Sequence, residues 1–281
     1  MFATASLAAR IERAETGLIL EGARAAARRV PPGQIIVREM NGGVAAYVEP
    51  GAPFNKVAGL GFSGVPEAAT LDELERDFAE RQAPLQFEVS TLADPALTRT
   101  LTSRGYLLIG FENVLGLPLD STRALDAGGG EVVVTRASDD EAPVWLDTVA
   151  TGFMTPDVFD GPPSHESITR DVLDSVFGDT IAAPSFERYL ARVGVAIAGG
   201  ASLRIQDGVA QLSGAATRPE HRRQGVQSAL LRYRLAEAAR RGCDLAVVTT
   251  QPGSKSQENA QKFGFALLYA RAILVKADNA S

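Results

Sequence analysis

The stretch RPEHRRQGVQSALL, residues 218–231, sets adjacent arginines and a glycine directly ahead of an apolar run, just after the small-residue segment LSGAAT at 212–217. A strand ending in LSGAAT must stop at Pro219, which has no N–H to give to a ladder. Val226, Ala229, Leu230, Tyr233 and Ala236 then recur at helical spacing. RRQG is therefore the turn into a helix, where the first backbone N–H groups lack intrahelical partners and the helix dipole is positive. Such a turn is either a solvated helix start or an anion cradle. For the cradle, Gly225 permits close backbone approach and a positive φ, while Arg222 and Arg223 offer charge to phosphate oxygens.

Composition limits what that turn serves. The 281 residues are 45% hydrophobic and 22% charged, an ordinary globular balance. A net charge of −6 gives no bulk basic surface for nucleic acid, so a positive site must be local. Cys243 stands alone and the histidines are His165 and His221, which argues against a disulfide framework or a metal site and for a reducing, cytoplasmic setting. No run of about 18 uncharged apolar residues is present to span a membrane. The first residues lack the apolar core of a secretory signal.

Outward from the turn, STRALDAGGG at 121–130 reads as a glycine-rich linker dividing the chain into 1–120 and 131–281. The two sides repeat one order of elements. In the first, helices at 71–83 and 93–106 alternate with strands at 84–90 and 107–119. In the second, helices at 228–242 and 254–265 alternate with strands at 245–250 and 266–277. Gly105-Tyr106 and Gly264-Phe265 close corresponding helices. A strand at 131–137, a helix at 138–153 with Ser138 as its N-cap, a helix around 165–177 and three strands in meander order precede the cradle. The class is α/β (α+β): two units, each a mixed, mostly antiparallel sheet flanked by helices.

Residues 131–277, taken in order, resemble the acetyl-coenzyme A binding core of the GNAT acyltransferase superfamily. The features are a small-residue strand end, a proline, Arg222 and Gly225 opening a helix, the strand LAVVTT, and a helix ending in Gly-Phe. The family signature Q/R-x-x-G-x-G/A is met at Arg222 and Gly225 and departs at Gln227. The resemblance implies that strands 212–217 and 245–250 splay to hold acetyl-CoA. Ala215, Ala216 and Thr217 would meet the pantetheine arm, with Asn259 on its other side. Arg222, Arg223, Gln224, Gly225, Val226, Gln227 and Ser228 would hold the pyrophosphate. It further implies direct transfer of an acetyl group to an amine of a small molecule or peptide, with no metal. A backbone N–H near 212–217 would stabilise the oxyanion.

Other expectations are less constrained. Many members carry a tyrosine four residues before the Gly of the Gly-Phe pair; here that position is Ala260, so protonation of the leaving thiolate falls to Tyr269 or to water. Candidates for removing the acceptor's proton are Asp157, Asp160, His165 and Glu187. Phe153, Met154, Asp157 and Phe159 either wall an acceptor pocket or pack a helix end. The first unit is a degenerate GNAT-like copy without a cradle, since Glu67 would repel a diphosphate, and is not expected to bind coenzyme A. Its Gly59, Gly61 and Gly64 are scaffold glycines or mark another ligand site. Glu88 reads as a satisfied edge carboxylate. Arg10, Arg13, Arg24, Arg28 and Arg29 read as the solvated face of an alanine-rich helix. A catalytically weak coenzyme A sensor is the alternative suggested by Ala260 and Gln227. A nucleotide-phosphate protein lacks the glycine motifs it needs.

Overall fold

The computed structural model describes residues 1–31, 33–120, 131–155, 168–183 and 185–276. Helix α1 (Ala5–Ala26) starts where the Thr4 side chain accepts from the Leu7 N–H. Strands β1 (Ile36–Met40) and β2 (Gly43–Tyr47) follow as a hairpin whose turn residues, Asn41 and Gly42, have φ of 44° and 75°, the left-handed pair that matches strand twist. Then come β3 (Lys56–Ala58), α2 (Ala68–Ala79), β4 (Gln86–Ser90), α3 (Pro95–Ser103) and β5 (Tyr106–Pro118). The remainder runs β6 (Val132–Arg136), α4 (Ala142–Met154), α5 (Arg170–Ile181), β7 (Phe186–Val193), β8 (Ala196–Gln206) and β9 (Val209–Thr217). It closes with α6 (Val226–Arg240), β10 (Leu245–Thr250), α7 (Lys255–Lys262) and β11 (Ala266–Lys276).

The mixed, mostly antiparallel sheet flanked by helices follows the sequence pattern, but the two sheets are one. Its 11 strands run β1-β2-β3-β4-β11-β5-β10-β9-β8-β7-β6. Strand β5, from the first half, lies between β10 and β11. Strand β11, from the second, lies between β4 and β5. Each half thus completes its sheet with the other's last strand, and the antiparallel β5/β11 pair forms the centre. The parallel pairs, β3 with β4 and β9 with β10, stand at corresponding places on either side.

Helices cover both faces. A Cβ on Gly199 would meet Val226 and Leu230 of α6, and one on Gly200 would meet Val149 and Trp145 of α4. Adjacent strand residues point to opposite faces, so α6 and α4 lie on opposite sides of the sheet. Helix α1 packs on α5, on the α4 side, and touches strands of both halves.

Three local readings are corrected. Helix α4 begins after Glu141, whose carboxylate accepts from the Ser138 N–H at 2.9 Å, so Ser138 is not its N-cap. The helix expected around 165–177 lies at Arg170–Ile181, where Thr169 caps it. The arginines of the first helix are not all solvated: Arg10 binds Asp244 (2.8 Å), Arg28 the Ala182 carbonyl (3.1 Å), and Arg29 both Glu49 and Asp179. The bonds to Asp244, Ala182 and Asp179 tie α1 and the turn after it to the second half.

Candidate active site

Strands β9 and β10 pair in register at Val209↔Leu245, Ala210↔Ala246 and Gln211↔Val247, and then part. Beyond that point β9 keeps its ladder to β8, with an irregularity: Ser213 faces Ser202 and Ala216 faces Gly200, so Gly214 and Ala215 both oppose Ala201. Gly214 takes φ of 56°, as a bulged strand requires, and a bulge re-aims the backbone groups around it. The parted strands open a cleft of about 460 Å³ that runs through the sheet. Gln227, Ser254 and Asn259 line it on the α6 face, and Ile11, Glu15 and Leu18 of α1 line it on the other.

At the α6 mouth the chain turns through Arg223 (φ 62°) and Gly225 (φ 80°) into the helix. A Cβ on Gly225 would meet nothing within 4 Å, so the glycine is there for its left-handed backbone rather than for space. The successive N–H groups from Arg223 to Ser228 find no acceptor among the described residues. The Thr217 hydroxyl, at the end of β9, is buried with no hydrogen-bond partner among them.

The other residues that the sequence assigns to cofactor binding fall around that turn in different ways. Ala215 lines the cleft. Ala216 is buried under α4, where a Cβ on Gly152 would lie 2.4 Å from its own. The small residues of LSGAAT therefore admit a neighbouring helix backbone on this face. Val226 is core and contributes only its backbone, and Ser228 is half-buried in the first turn. The Gln224 amide donates to the Glu220 carbonyl at 3.2 Å, and Arg222 to the Thr155 carbonyl at the end of α4. Arg234, one further residue lining the cleft, is buried and donates to the Ser202 and Ser213 carbonyls; desolvation lowers its guanidinium to about 10.

Across the sheet the cleft ends on charge. Arg271 of β11 and Glu112 of β5 are direct cross-strand partners, and both line the cleft with Glu15 of α1 and Lys56 of β3. Arg271, 1% exposed, has Glu12 at 2.9 Å, Glu15 and Glu112 at 3.6 Å and Glu88 at 4.0 Å. Lys56 holds the other oxygen of Glu88 at 2.7 Å. Glu88 is thus no edge carboxylate: β4 is interior to the sheet, and the side chain is buried against two cations. Burial pushes the Glu112 carboxyl up to about 8, with repulsion from Glu88 adding to it. Burial likewise raises Glu12, against the pull of Arg271, whereas Lys56 and Arg271 outweigh burial at Glu88 and hold it low.

Tyr269 is turned away from the expected protonating role. It is 5% exposed, lies outside the cleft lining, and its hydroxyl donates to Glu12 at 2.7 Å. Burial and that carboxylate drive the phenol far above its ordinary value. Glu187 sits on β7, engaged by Tyr189 at 2.7 Å and by Arg241, away from the cleft. Phe153 lines the cleft, and Met154 is exposed beside it. Asp157, Phe159, Asp160 and His165 lie outside the described residues. Glu112 was not among the sequence candidates, although a lone charge in the apolar run LLIGFENVLGLPL was a usable signal.

Residues 157–265 match the family model described as Acetyltransferase (GNAT) family. Over that stretch the sequence is similar to the GNAT acetyltransferases. No curated protein matches the chain. Among solved structures, a GCN5-related N-acetyltransferase from Kribbella flavida aligns over 92% of this chain and 96% of its own, at TM-score 0.60 and 17% identity. A tandem GNAT protein from the clavulanic acid biosynthesis pathway aligns over 90% and 86%, at TM-score 0.58 and 14% identity. A GCN5-related N-acetyltransferase from Sphaerobacter thermophilus aligns over 86% and 75%, at TM-score 0.55 and 15% identity. At these identities the shared property is the fold, and it extends beyond residues 157–265 into the first half. Among the described residues no helix is long and apolar enough to cross a membrane.

Proposed function

We propose that the chain is an N-acyltransferase that moves an acetyl group from acetyl-CoA to an amine in a ternary complex, with the donor on the α6 face and the acceptor on the α1 face. One observation carries the reading: a single cleft runs from Gln227, in the turn of unpaired backbone N–H groups around Gly225, to the Glu112 carboxyl across the sheet.

The residues present fit the thioester. The turn from Arg223 to Ser228 suits a diphosphate, which needs several converging N–H donors and no Cβ at the closest approach. Parted strands leave backbone groups free for an amide-bearing arm, and the Thr217 hydroxyl and Asn259 are the side chains placed to meet it. When bound, acetyl-CoA supplies an activated carbonyl: the amine nitrogen bonds to that carbon as the carbon–sulfur bond breaks and the thiolate leaves.

The chain's own residues do the rest. The Gly214-Ala215 bulge, which takes backbone groups out of the regular ladder, supports a role for an N–H there in stabilising negative charge on the carbonyl oxygen. Glu112 accepts the amine proton at Oε2, an atom with no hydrogen-bond partner among the described residues. With Tyr269 occupied by Glu12, the thiolate takes its proton from solvent. On this reading residues 1–120 form a degenerate GNAT-like unit that contributes the acceptor side through α1, β3 and β5, residues 131–281 form the donor unit, and 121–130 link them. The first unit binds no coenzyme A, because α1 fills its corresponding place: a Cβ on Gly59 would lie 2.4 Å from Thr16.

Release of free thiol from acetyl-CoA, measured over a panel of amines, tests the proposal. Amine-dependent release is expected. Tight acetyl-CoA binding without release for any amine would instead favour a cofactor sensor.

A further inference from the structure

We propose that the cleft accepts, besides acetyl, a short acyl group that ends in a carboxylate, held there by the guanidinium of Arg234. This rests on the acyltransferase reading and widens the donor class of the same site.

Arg234 stands on α6, is 2% exposed and lines the cleft. A guanidinium carries five N–H donors. Nε donates to the Leu230 carbonyl at 3.2 Å, and Nη1 donates to the carbonyls of Ser202 and Ser213 at 2.9 and 3.3 Å. The two N–H groups of Nη2 find no acceptor among the described residues. Lys56 and Arg271, the other cations that line the cleft among the described residues, each have a carboxylate: Glu88 at 2.7 Å and Glu12 at 2.9 Å. Arg234 has carbonyls alone. Burial lowers its guanidinium to about 10, so it still carries its charge at neutral pH. A buried charge without a counterion is costly, and bracing the strands occupies only Nε and Nη1. The free Nη2 edge is left for an anion that the chain itself does not supply.

The place of Arg234 selects the acyl end of the donor. Strands β9 and β10 are last paired at Gln211↔Val247, so the cleft is closed there and opens toward the turn at Gly225. Ser213, whose carbonyl Arg234 holds, lies just past that pair and directly before the Gly214-Ala215 bulge. A thioester with its diphosphate at Gly225 and its carbonyl oxygen at the bulge directs its acyl chain toward the closed end. One or two strand residues span about 3–7 Å, the reach of one or two methylenes and a terminal carboxylate. Leu212, Leu231 and Val247 line the cleft and suit the methylenes. The carboxylate then accepts from Nη2 and neutralises the guanidinium. It takes no part in the bond changes: the amine nitrogen bonds to the thioester carbon, the carbon–sulfur bond breaks, and the product amide keeps the terminal carboxylate.

Calorimetric titration of the full chain with succinyl-CoA, butyryl-CoA and acetyl-CoA tests the proposal, since succinyl and butyryl chains are equally long and differ in the terminal carboxylate. Succinyl-CoA is expected to bind at least about tenfold more tightly than butyryl-CoA. Arg234→Met is expected to abolish that preference, with its fold checked by circular dichroism because Arg234 also braces the strands. Should the variant not fold, the comparison of the two thioesters in the parent chain decides alone. Succinyl-CoA bound no more tightly than butyryl-CoA, or a preference that survives in folded Arg234→Met, would overturn the proposal. Uptake of acetyl-CoA without the succinyl preference overturns this proposal and leaves the acyltransferase reading standing. No uptake of any of the three thioesters overturns both.

Discussion

Arg271 and Glu112 face each other directly across the central β5/β11 ladder, Nη1 to Oε2 at 3.6 Å, and each comes from a different half of the chain. That pairing joins fold and site. The strand exchange that closes both sheets also brings a carboxylate of the first half to the cleft of the second.

Arg271 is a cation shared by several buried carboxylates, so its removal leaves them uncompensated. Arg271→Met is expected to cost about 3–5 kcal/mol of folding stability, the usual effect of breaking a buried ion pair from one side. Urea unfolding at pH 7 measures it. A midpoint within error of the parent would show that the cluster is already neutral without Arg271.

Glu112 gives two signs to check. As the base it must be ionised, so kcat/KM is expected to rise with pH through about 8; Glu112→Gln should flatten that limb and lower kcat by about 10²- to 10⁴-fold. For stability, the folded chain keeps a proton on Glu112 that the unfolded chain gives up above the ordinary carboxylate range. Stability should therefore fall as pH rises from about 4.5 toward 8, and the glutamine variant should lose that part of the slope. A rate limb that survives in Glu112→Gln assigns the base elsewhere.

Residues 131–281 alone lack β5, leaving β10 and β11 with unpaired ladder groups. That fragment is expected to self-associate or remain unfolded in size-exclusion chromatography. A stable monomer with cooperative unfolding would mean the exchange is dispensable.

What the sequence revealed follows the range of the interactions involved. The turn into α6 was legible because a strand end, Pro219, Gly225 and the helical run after it act within a few residues of one another. The β1/β2 hairpin carried an equally local signal in Asn41-Gly42, which the helix and strand spacing of the first half passes over. Strand exchange was not legible: β5 and β11 read identically whether they pair within their own unit or across units, because register between distant strands leaves no local mark. Glu88, Glu112 and Arg271 were each visible as isolated charges in apolar strands. That they face one another depends on the sheet order, and so does the role proposed for Glu112. That Tyr269 lies away from the cleft was hidden for the same reason, since strand alternation alone does not say which face carries α1.

Titration of acetyl-CoA into the full chain by calorimetry, beside Gly225→Val, tests the central claim most directly. The account predicts one molecule bound per chain and at least tenfold weaker uptake by the variant, whose β-branched side chain resists the φ of 80° that shapes the cradle. No uptake by the parent chain, two equivalent molecules per chain, or undiminished uptake by Gly225→Val would contradict it.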